Sequence, residues 1–83
     1  MSQKRQTPDE RFLIQLYETA SAAGNPFAEI DPLGIARAVG LKETALKNIV
    51  KHLAQANFVK KTDERTLCLT ERGRDFVLDA MQS

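Results

Sequence analysis

Apolar residues first fall into register at Phe12. Phe12, Leu13, Leu16, Tyr17 and Ala20 stand at offsets of zero, one, four, five and eight, which puts them on one face of an α-helix. Ahead of them, Thr7-Pro8-Asp9-Glu10 reads as a capping box, with Thr7 as N-cap, Pro8 at the first helical position and Glu10 reaching back. Gly24-Asn25-Pro26 ends that helix, and Phe27 to Ile30 reads as a short strand. Asp31-Pro32 repeats the start signal for a short helix to about Val39, with Leu33, Ile35, Ala36 and Val39 available for burial and Gly40 as its stop. A third helix is expected over residues 42–56, with Ala45, Leu46, Ile49, Val50 and Leu53 on its inner side. Asn57 closes it, because Asn tolerates a positive φ.

The period then changes. Phe58-Val59-Lys60-Lys61 and Thr66-Leu67-Cys68-Leu69 are β-prone runs around a polar connection, Thr62-Asp63-Glu64-Arg65, and read as a hairpin. Thr70 caps a last helix with Phe76, Val77 and Ala80 facing inward. The pattern predicts an α+β domain, mostly helical, over residues 7–82: helix, short strand, helix, helix, two-stranded hairpin, helix. Residues 1–6 are polar and are expected to form a disordered tail. The expected core is Phe12, Leu16, Ile35, Leu46, Ile49, Leu53, Phe76 and Val77.

Composition narrows the chemistry more than the fold. An 83-residue chain is one domain, burying roughly 60% of its unfolded surface. No apolar run approaches the ~20 residues of a membrane span, and Met1 to Gln6 lacks the apolar stretch of a secretory signal, so a cytoplasmic setting without a membrane partner is expected. With one cysteine, Cys68, and one histidine, His52, neither a structural zinc site nor an internal disulfide can be assembled. No metal and no cofactor are expected. Cys68, between Leu67 and Leu69, reads as a small packed strand residue, and His52 as a helix-flank residue. The chain carries no Gly-rich phosphate loop and no nucleophile–base pair, and its dispersed acidic residues suit helix starts, so an enzyme is not expected.

The net charge of +1 is unevenly spread. Residues 1–40 hold four basic groups and five acidic ones, residues 41–69 hold six basic (Lys42, Lys47, Lys51, Lys60, Lys61, Arg65) against three acidic, and residues 70–83 hold two against three. The positive excess is therefore local, as on a polyanion-binding face.

A helix-turn-helix needs a small residue where its helices meet, a residue tolerant of positive φ in the turn, and apolar residues pinning the second helix. Ala36, Gly40, then Leu41, Leu46 and Ile49 supply these in order. With Ile35-Ala36, Val39-Gly40-Leu41, Ile49-Val50-Lys51-His52-Leu53, Asn57-Phe58-Val59 and the run Leu69-Thr70-Glu71-Arg72-Gly73, residues 9–80 resemble the winged helix-turn-helix superfamily, particularly small bacterial regulators of the MarR-like kind. The sequence departs from that pattern in having Lys42 where a Ser or Thr usually caps the recognition helix, and in a short wing. Sensing members of the family carry extra helices around an effector pocket. The chain ends one helix past the wing, so no small-molecule effector is expected.

The resemblance implies double-stranded DNA binding and transcription regulation, with helix 42–56 in the major groove. Projected at about 100° per residue, that helix turns Thr44, Lys47, Asn48, Lys51 and Gln55 outward, with Glu43 and His52 on the flanks. Thr44, Lys47 and Asn48 lie near the end that reaches base edges, where Lys suits guanine and Asn adenine. Lys51, Lys60, Lys61 and Arg65 suit phosphates. A single such helix reads few base pairs, so a homodimer on two half-sites is expected, through Tyr17, Leu78 or Met81. The same outward face also reads as a plain solvated one. The competing functional readings are a winged-helix protein-interaction or adaptor module without DNA binding, and an accessory protein that keeps the fold without nucleic acid.

Overall fold

In a computed structural model describing residues 7–82, four helices and a two-stranded antiparallel sheet follow in the order α1 (Pro8–Ala22), α2 (Pro32–Val39), α3 (Glu43–Gln55), β1 (Val59–Lys61), β2 (Leu67–Leu69) and α4 (Glu71–Gln82). The tail expected over residues 1–6 lies outside the described residues. The capping box forms as expected. Thr7 Oγ1 accepts from Glu10 N at 3.1 Å, and the Glu10 carboxylate accepts from Thr7 N at 3.2 Å.

Both helix stops around α3 use left-handed residues. Gly40 sits at φ 74°, ψ 34°, so the chain reverses and Leu41 N donates to Ala36 O at 2.8 Å, the six-to-one bond that satisfies a terminal carbonyl. The Arg11 guanidinium donates to Val39 O at 3.0 Å and so ties α1 to the end of α2. Asn57, at φ 64°, repeats the device: Phe58 N donates to Leu53 O at 2.9 Å. The start of α3 differs from the expected 42–56 span. Lys42 is the N-cap, with extended backbone and no side-chain oxygen to accept from the first turn, and the helix itself runs from Glu43 to Gln55.

The strand expected over Phe27–Ile30 does not form. Asn25 Oδ1 accepts from Phe27 N and Asn25 O from Ala28 N, which commits this stretch to turns. Only Ile30 reaches extended pairing, exchanging bonds of 2.8 and 3.0 Å with Leu67. That bridge fixes the start of α2 beside β2. The hairpin pairs Val59 with Leu69, Lys60 with Cys68 and Lys61 with Leu67. Each strand is one residue shorter than its β-prone run. Phe58 N is committed to the end of α3, and the Thr66 carbonyl accepts from Thr62 and Asp63 in the turn.

The core lies between α1, the inner faces of α2 and α3, the hairpin and α4. Seven of the eight expected core residues are buried; Phe76 is half-buried and its ring lies 5.0 Å from that of Phe58. Leu13, Ala20, Ala36, Val59, Leu67 and Leu69 complete the core. Leu33, expected to be available for burial, is 48% exposed. It stands two residues, about 200° of helix, from the buried Ile35, so one short helix cannot bury both. Cys68 is half-buried rather than enclosed, because it points away from the face that Leu67 and Leu69 bury.

Candidate nucleic-acid interface

Burial of Leu46, Ile49 and Leu53 fixes how α3 is turned. The opposite side carries Thr44, Lys47, Asn48, Lys51 and Gln55, all exposed. At about 100° per residue, Thr44, Lys51 and Gln55 lie nearest the midline of that side, with Lys47 toward one flank and Asn48 toward the other. His52 is exposed beyond Asn48.

The Lys47 flank faces the hairpin across an open groove of about 930 Å³, bounded by α3, the start of α2 and the β1–β2 hairpin. Lys47, Lys51 and Gln55 line it from α3, and Lys61 and Arg65 from the hairpin. Five of the eight expected site residues thus meet at one place. Thr44 and Asn48 stand outside the groove, on the outer side of α3.

Lys60 is separated from the others. Side chains alternate along a strand. Val59 is buried, so Lys61 shares its face while Lys60 lies on the opposite face with its cross-strand partner Cys68. The adjacent lysines therefore do not act on one surface.

None of Lys47, Lys51, Lys60, Lys61 and Arg65 lies within 4.0 Å of a carboxylate among the described residues. Three carboxylates share the groove: Asp31, Glu43 and Glu64. Asp31 is engaged, its Oδ1 accepting from Leu33 N at 2.9 Å as the cap of α2. Glu43 stands in the first turn of α3, where it complements the helix dipole. The cations thus keep their hydrogen-bond donors for an outside acceptor. Lys supplies only donors, whereas Thr, Asn and Gln supply both kinds, a combination matched to phosphate oxygens and base edges.

Sequence reasoning missed the groove's apolar floor, where Val50 and Ala54 offer accessible surface over buried Leu46 and Leu67, with Pro32 and exposed Leu33 beside them. The signal was the misfit of Leu33 with Ile35 on so short a helix. Elsewhere, Leu78 and Met81 are 37% and 49% exposed on α4, and Tyr17 on α1 is half-buried. Among the described residues, no three His, Cys, Asp or Glu side chains gather to hold a metal ion, and no helix is long and apolar enough to cross a membrane. No protein-family model matches the chain, and no curated protein sequence matches it.

Proposed function

We propose that this protein is a winged helix-turn-helix domain similar to the small MarR-like regulators, and that it binds double-stranded DNA to regulate transcription. The carrying observation is the outward side of α3: polar throughout, with lysines free of carboxylate partners, and flanked by Lys61 and Arg65 of the hairpin. The turn at Gly40 supports the same reading, because it sets α3 off from α2 without burying that side. Thr44, Lys47 and Asn48 contact base edges in the major groove, while Lys51, Gln55, Lys61 and Arg65 hold the flanking phosphates. The reading is of a binding protein and assigns no catalytic residue. The apolar floor beside these cations favours a protein partner as a second reading, since a phosphate backbone leaves such a floor uncovered.

The separation of Lys60 from Lys61 supplies the test. Lys61→Ala should weaken binding to a labelled random duplex at every sequence alike and reduce the dependence of log affinity on log salt by about one unit. Lys60→Ala should leave both within about twofold of the parent, since it removes no phosphate contact. Fluorescence anisotropy across several salt concentrations reads both. Equal effects of the two substitutions would contradict the placement of the duplex along α3 and the groove.

A further inference from the structure

We infer that the groove between α3 and the hairpin receives an acidic helical segment of a partner protein, which lays apolar side chains on the floor and carboxylates against the rim, and that this partner and duplex DNA exclude each other. The exclusion rests on the DNA reading above; the docking does not.

The floor sets the first requirement. Leu33 is 48% exposed at the lip, and half-buried Val50 lies in the floor with exposed Ala54. Covering such surface is favourable because apolar area leaves water. Nucleic acid brings mostly charged phosphate to a groove wall, whereas a protein segment brings leucine-like anchors.

The rim sets the second. Lys47 and Lys51 are one helical turn apart on one wall, and Lys61 and Arg65 stand on the other. All four lack a carboxylate within 4.0 Å. The three acidic neighbours, Asp31, Glu43 and Glu64, leave the four cations an excess of one positive charge, and none of the four is ion-paired. The unmatched charge calls for carboxylates on the partner.

Dimensions set the third. The 13 residues of α3 span about 20 Å at 1.5 Å per residue, which matches a partner helix of three to four turns lying alongside. Apolar anchors at i, i+3, i+4 and i+7 with acidic residues between them are the pattern of a helix laid into a groove. The same lysines that would hold phosphates are then covered, so one surface serves two mutually exclusive partners.

The probes are two fluorescein-labelled peptides of about 14 residues, the length α3 can face. One carries leucines at those anchor spacings with glutamates between; the other has lysine in place of every glutamate. The acidic peptide is expected to bind at least about tenfold more tightly than the basic one, equivalent to 1.4 kcal/mol. Leu33→Glu, at a surface position outside the core, should weaken it about tenfold, and Leu78→Glu on α4 should not change it. The unlabelled acidic peptide should release a labelled random duplex at low salt. Equal binding of the two peptides, no binding of the acidic one, or indifference to Leu33→Glu would overturn the docking. Peptide and duplex bound together would overturn the exclusion. Peptide binding by a protein that ignores the duplex would support the docking while removing the DNA reading.

Discussion

Gly73→Ala is expected to cost about 3 kcal/mol, the upper end of what overpacking a closed site costs, and to lower the melting temperature by roughly 12–24 °C. A Cβ at Gly73 would lie 2.1 Å from the Phe58 carbonyl oxygen and 3.0 Å from Leu69 Cδ2. Neither neighbour is free to retreat. Phe58 O accepts from Thr70 N at 3.1 Å, and Phe58 N is bound to Leu53 O, so moving that peptide breaks the end of α3 or the start of α4. Gly73 N is itself held by Thr70 Oγ1, whose hydroxyl donates to Asn57 O. Gly34→Ala is the matched control. A Cβ there meets nothing within 4 Å, so the helical preference of Ala should stabilise α2 by about 0.5–1 kcal/mol. Thermal unfolding followed by circular dichroism should show shifts of opposite sign. Two shifts of the same sign would contradict the tight joint between α3 and α4.

Leu46→Ala should cost roughly 2–5 kcal/mol through lost burial and the cavity left behind. The whole domain, at 0.05–0.15 kcal/mol per residue, has only about 4–12 kcal/mol to lose. Leu46 is 5% exposed and belongs to the core cluster that holds the first half of α3. Leu33→Ala provides the contrast. Leu33 lines the same groove but is half exposed, and its truncation should change stability by no more than about 0.5 kcal/mol, as at other surface sites. Urea midpoints of the two variants measure the difference directly. Similar costs would mean that α2 and α3 are turned differently from the arrangement described here.

Local chemistry was the legible part of this chain. The Thr7–Glu10 box, the Asp31 cap and the left-handed stops at Gly40 and Asn57 each depend on residues within about six positions of one another, and all form as the sequence implies. The missing side-chain cap of α3 was also legible, since Lys42 has no oxygen to accept from the first turn. Less legible were features decided by distant partners. Phe27–Ile30 is apolar enough for a strand, yet its neighbours Asn25 and Pro26 commit it to turns, leaving only the bridge from Ile30 to Leu67. Apolar character offered both Leu33 and Ile35 to the core; helical spacing allowed only one of them, and the packing of α2 on α1 and α3 decided which. The eight site residues were legible as an exposed, donor-rich set. Their division between groove, outer helix side and far hairpin face was not, because it depends on strand register and on where the Ile30–Leu67 bridge sets the start of α2.

The central claim is that α3 and the hairpin bind duplex DNA through cations left free by the fold. Titrating the intact protein into a labelled random duplex across a range of salt concentrations tests it most directly. With Lys51, Lys61 and Arg65 as the charged phosphate contacts, about three phosphates are neutralised. Log affinity should then fall linearly with log salt at a slope of roughly −3, the signature of displaced counterions. A folded protein that fails to bind the duplex even at low salt, or that binds with a slope near zero, would contradict the account.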